Sequence, residues 1–126
     1  MSEFKTCLEV RLLPESPGVE EWFVLTPLIY QSDLLELTVV IPVGFVTNFV
    51  SFKSLNWLAH RPSCLHDFLV SCSDLDISLA NLAFKESLES VDVGEELAGN
   101  MYAAVDLFGN SHKENTYLLS EHSRKE

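Results

Sequence analysis

The sequence predicts an α+β fold, a small antiparallel N-terminal sheet of about three strands packed against about four C-terminal helices. Two observations carry that expectation. Up to Pro42 the apolar residues fall in short runs with period-two alternation, and after Gly44 they recur at three- and four-residue steps. Strands gathered ahead of helices, without alternating βαβ units, place the helices on one face of the sheet.

The elements follow in order. Leu8, Val10 and Leu12 alternate with Glu9 and Arg11, the pattern of a strand with one buried face, and Pro14, Pro17 and Gly18 then force a turn. Trp22 to Leu25 is a second, aromatic and β-branched run stopped by Thr26-Pro27, with Leu28 to Tyr30 continuing it past a kink. Ser32-Asp33 signals a turn, and residues 34–42 give a third strand, so that short turns link an antiparallel meander. After Gly44, Ser51 or Ser54 caps a short helix through Leu55, Trp57, Leu58 and Ala59, which Arg61-Pro62 breaks. Pro62 opens a second helix that runs from Ser63 to about Cys72, with Leu65, Phe68, Leu69 and Cys72 as its stripe. Asp74 or Asp76 caps a third, striped by Ile77, Ala80, Phe84 and Leu88, with Lys85, Glu86 and Glu89 lying away from the stripe. Glu95 and Glu96 suit the positive end of a fourth helix, which carries Leu97, Met101, Ala104, Val105 and Phe108 before Gly109-Asn110. Residues 1–110 are thus expected to form one domain, and residues 111–126 a polar tail with Tyr117, Leu118 and Leu119 as its docking point.

Composition narrows the partners. The chain of 126 residues has 19 acids against 8 bases, a net charge of −11, through a shortage of Lys and Arg more than an excess of acid. That balance argues against nucleic-acid phosphate or an anionic membrane as the partner and leaves a basic protein surface, or nothing specific. The excess is regional. Between residues 74 and 96 stand Asp74, Asp76, Glu86, Glu89, Asp92, Glu95 and Glu96, with Lys85 as the single base. The plain reading of these acids is solvated helix surface and caps, and the functional one is a partner-binding patch. Cys7, Cys64 and Cys72 match neither a zinc ribbon nor a disulfide framework, which points to a reducing compartment and small core residues. The absence of a basic segment followed by an apolar one, and of any apolar run near 18 residues, leads to the expectation of a soluble, cytoplasmic protein.

No complete phosphate-loop, dinucleotide, zinc-protease or nucleophile-elbow motif is present, and no metal or cofactor is expected. The candidates for chemistry are the polar turn carrying Thr47, Asn48 and Ser51, the pair His66-Asp67, and Asn81 on an apolar helix stripe. Adjacent helical residues point about 100° apart, so His66 and Asp67 do not both face one ligand squarely. Each also has a structural reading: a partly buried histidine on a backbone carbonyl, a helix-surface acid, turn-forming Thr and Asn, and a buried amide bonded to a neighbouring element. His60 as a metal partner for His66 is disfavoured by the spacing across Pro62.

These blocks, in order, are Trp22…Pro27-Leu28-Ile29-Tyr30, Pro42-Val43-Gly44-Phe45-Val46-Thr47-Asn48…Ser51, His66-Asp67-Phe68-Leu69, Ala80-Asn81…Phe84 and Met101-Tyr102…Val105…Phe108-Gly109. Over roughly residues 5 to 110 they resemble a family of small phage and prophage proteins, domain of unknown function 1353. That family has no assigned activity. Where its pattern has aspartate in the turn and in the Ala-Asp helix, this chain has Asn48 and Asn81, Val50 replaces an alanine, and Lys53-Ser54 replaces Pro-Arg. An amide keeps the shape of a carboxylate but loses its charge and proton affinity, so the resemblance implies a degenerate member if the family site is catalytic. With the compact size, the lost carboxylates and the acidic patch from Asp74 to Glu96, the expected function is a phage accessory protein in the host cytoplasm that binds a host or defence protein as an inhibitor, in one form as an acidic mimic of nucleic acid. The alternatives are a small hydrolase using Thr47, Ser51, His66 and Asp67, and a virion or assembly component.

Overall fold

The computed structural model describes residues 2–13, 21–47, 59–108 and 123–124. Its elements are β1 (Glu3–Phe4), β2 (Val10–Leu13), β3 (Glu21–Val24), β4 (Leu28–Ser32), β5 (Leu37–Ile41), β6 (Val46–Thr47), α1 (His60–Ser71), α2 (Ile77–Ser90), α3 (Glu95–Phe108) and β7 (Ser123–Arg124). The α+β class is as expected. The single sheet is not, because the strands form two antiparallel sheets, β1-β4-β5-β7 and β2-β3-β6.

Pro27 is the physical reason for the division. It has no amide hydrogen for a ladder, so the run from Trp22 to Tyr30 does not continue as one strand past a kink. It splits instead into β3 of one sheet and β4 of the other. Thr6 closes the gap: its hydroxyl donates to the Pro27 carbonyl at 3.0 Å and accepts the Ile29 amide at 3.0 Å. The third strand also begins later than expected. Residues 33–36 make a four-residue turn, with Glu36 in the left-handed region at φ 56°, and β5 pairs with β4 from Ser32↔Leu37 to Leu28↔Ile41.

The helical stripes are buried as their spacing requires. Leu65, Phe68 and Leu69 of α1 join Val24, Leu28, Tyr30, Val39 and Ile41 of the sheets in one core. Phe84 and Leu88 of α2 meet Ala98, Met101 and Val105 of α3 in a second. Phe45 stands edge-on to Phe68 at 5.4 Å, which fixes the approach to β6 over α1. Cys64 is buried and its thiol is pushed up to about 12 by burial and then by Asp67, so it behaves as the small core residue expected, whereas Cys72 is only half-buried and Cys7 is exposed.

Helix starts differ in detail. The short helix expected after Ser51 lies outside the described residues up to Leu58, and α1 begins at His60, two residues before Pro62. Pro62 is therefore part of the first turn and not a break, since an amide hydrogen there has no intrahelical partner to lose. Asp76 occupies the N-cap position of α2, but its side chain makes no capping hydrogen bond. Glu95 and Glu96 lie in the first turn of α3. Most of the expected polar tail is outside the described residues, while Ser123 and Arg124 pair with Val39 and Thr38 at the sheet edge. Among the described residues no helix is long and apolar enough to cross a membrane.

Glu86 joins the layers. Its Oε1 accepts the Tyr30 hydroxyl at 2.8 Å and the Ser32 hydroxyl at 2.7 Å, and its Oε2 accepts the Leu34 amide at 2.8 Å. Burial and then this carboxylate push the Tyr30 phenol up, so it stays protonated and keeps donating. Charge-assisted hydrogen bonds contribute more than neutral ones, and their loss leaves buried donors unpaired. Glu86→Ala is therefore expected to lower the unfolding free energy by about 3 kcal/mol, and Tyr30→Phe by about 1 kcal/mol, in urea titrations at neutral pH.

Candidate functional site

The polar motif residues converge on α1 from two sides. A step of about 100° per residue separates His66 from Asp67. His66 turns towards α2, where its Nε2 lies 2.7 Å from Asn81 Oδ1 and its ring 4.7 Å from that of Phe84, tilted by 39°. Asp67 turns towards β6 and accepts the Thr47 hydroxyl on Oδ2 at 2.7 Å. The Ser71 hydroxyl donates to the Asp67 backbone carbonyl one turn on.

Burial dominates the electrostatics. With the Asn81 oxygen as acceptor, the neutral His66 ring carries its proton on Nε2. Desolvation pushes His66 below its ordinary 6.5, and the Asn81 hydrogen bond opposes that. Desolvation likewise pushes Asp67 above its ordinary 3.8 against the Thr47 hydrogen bond. Thr47 is 1% exposed and Asn81 3%, so neither offers a free group to a solute. Thr47 anchors β6 to α1, and Asn81 anchors α2 to α1, as expected of a buried amide that finds a neighbouring helix. The histidine is bonded to a side-chain amide and not to a backbone carbonyl, and Asp67 is largely buried and not a surface acid.

The structure brings together Thr47 with Asp67 and His66 with Asn81, in two separate pairs. Asn48 and Ser51 lie outside the described residues. Among the described residues no group of three or more His, Cys, Asp and Glu is placed to hold a metal ion.

The acidic patch is rearranged as well. Asp74, Asp76, Glu89, Asp92, Glu95 and Glu96 are exposed, but Glu86, expected with them at the surface, is half-buried because the β4–β5 hairpin supplies three donors to it. The exposed six form two groups. Asp74 and Asp76 precede α2, whereas Glu89 and Asp92 at its end adjoin Glu95 and Glu96 at the start of α3. The 14 residues of α2 put about 20 Å between the groups. Lys85 lies 5.7 Å from the centre of the Tyr102 ring, and Arg61 covers Phe4 while donating to the Thr6 carbonyl. Nothing local in the sequence pairs Tyr30 and Ser32 with Glu86. The available signal was the alternation of Leu28, Tyr30 and Ser32 on one buried strand face, where hydroxyls require acceptors.

Comparison with known protein families, characterised proteins and solved structures finds no match to this chain.

Two outcomes follow from His66. Because the folded state holds it less basic than the unfolded chain, acidification below 6.5 protonates the unfolded chain first and removes stability. Asp67 acts oppositely: protonating its folded form relieves a buried charge, so stability rises as pH falls towards 3.8. The loss of stability between about pH 7 and about pH 5 is expected to shrink in His66→Gln, measured by urea unfolding at each pH. Asn81→Asp places a carboxylate on His66 and is expected to raise its titration midpoint by about 1 to 2 pH units, read by NMR.

Proposed function

We propose that this chain is a phage accessory protein that acts in the host cytoplasm by binding the basic surface of a host or defence protein, as an inhibitor and not by catalysis. The distribution of charge carries the reading. Six exposed acids flank and follow α2, while Lys5, Arg61 and Lys85 are engaged by Glu3, by Phe4 and Thr6, and by Tyr102, and the exposed Arg11 lies away from them on β2. A surface of one sign steers and orients an oppositely charged partner and contributes more to association rate than to affinity. Occupation of a nucleic-acid-binding groove is one form of such inhibition. The assignment to a phage rests on the motif resemblance.

A small hydrolase is the second reading, favoured by the shifted protonation of His66 and Asp67 together, a property that clusters at functional sites. Against it, the two side chains engage different elements and share no partner. Charge reversal separates the readings. Glu89→Lys combined with Glu95→Lys is expected to weaken capture of a stoichiometric partner from host lysate at least about tenfold, and rising salt should do the same to the parent chain. His66→Ala is expected to leave capture intact. Capture that ignores both salt and the charge reversals would remove the acidic-surface reading.

A further inference from the structure

The outer side of α2 carries leucines where a solvated helix would carry polar residues. Leu79 is 40% exposed and Leu82 38%, three residues apart on one face. One turn beyond Leu82 on that face stands Glu86, whose Oε2 holds the Leu34 amide at 2.8 Å, and Leu34 is itself 45% exposed. The Glu86 carboxylate thus sets the hairpin turn beside the same face of the helix. Leu79 and Leu82 are exposed along this face and Leu34 in the turn that Glu86 holds to it, with Asp74 and Asp76 before the helix and Glu89 and Asp92 at its end. Scattered surface leucines are ordinary, but a group bounded at both ends by acid is the arrangement of a docking surface.

We propose that this face of α2 binds a basic amphipathic helix of a partner protein. Leucine-sized side chains of that helix would cover Leu34, Leu79 and Leu82, and Lys or Arg near its ends would meet the two acidic groups. Matching the length of α2, about 20 Å, requires about four turns of partner helix. A second copy of this chain does not fit, since apposing two such faces brings acid against acid. The inference rests on the protein-binding reading above and adds the apolar contact and the partner's shape.

The probe is a 15-residue Leu/Lys peptide with leucines at three- and four-residue spacing, compared with a scrambled peptide of the same composition and charge. Both are titrated into the full chain, with fluorescence anisotropy for affinity and amide NMR shifts for location. The amphipathic peptide is expected to bind at least about tenfold tighter than the scramble and to shift amides around Leu34, Leu79 and Leu82. Leu79→Ser with Leu82→Ser should abolish that advantage without altering the fold by circular dichroism, whereas Glu89→Lys with Asp92→Lys should weaken both peptides. Equal affinity for the two peptides, or unchanged affinity in the leucine variant, overturns the proposal while leaving an acidic binding surface in place. Insensitivity to the acid reversals as well overturns both readings.

Discussion

Three donors from one hairpin, the hydroxyls of Tyr30 and Ser32 and the amide of Leu34, converge on the carboxylate of Glu86, which reaches them from the helical layer. The arrangement decides how α2 lies against the sheet. The ring of Tyr30 is fully buried, so its hydroxyl needs an acceptor within the protein, and an ionised acceptor in a partly desolvated place gives stronger bonds than water does. Ser32 serves twice, donating to Glu86 and accepting the Leu35 amide at 3.0 Å, so the turn is held both to the helix and to itself. With α2 anchored in this way, Asn81 and Phe84 face His66 on α1, and Leu79 and Leu82 are left on the outside.

The polar motif residues show how one helix can divide its chemistry. His66 and Asp67 are neighbours in sequence, yet one is bonded to α2 and the other to β6. Each is placed where its charged form is disfavoured by burial, and each keeps one hydrogen bond to a neutral partner that partly offsets that burial. Asn81 suits a neutral histidine because an amide oxygen accepts its proton donor without adding charge. An aspartate in the same position would favour imidazolium in the middle of a helix junction.

Much of this is legible in the sequence. The helical stripes, the Pro27 interruption, the burial of Asn81 and the divergence of His66 and Asp67 all follow from periodicity, from the missing amide hydrogen of proline and from helical geometry. The single meander was a reasonable extension of those signals, but alternation reports which residues share a face and not which strands share a sheet. Glu86 was misplaced at the surface for a related reason. On its helix it lies off the apolar stripe, and the donors that draw it inward are more than 50 residues away in the chain.

The sequence by itself determined the class of fold, the helix faces, a local excess of acid and the absence of any strong catalytic motif, because these depend on composition and on spacings within one element. Only the tertiary structure decided that Thr47 pairs with Asp67, that His66 pairs with Asn81, and that Glu86 leaves the acidic surface to hold a hairpin. Those outcomes depend on which elements meet and on how burial weighs a charge against the hydrogen bonds available to it, quantities that exist only once the chain has folded.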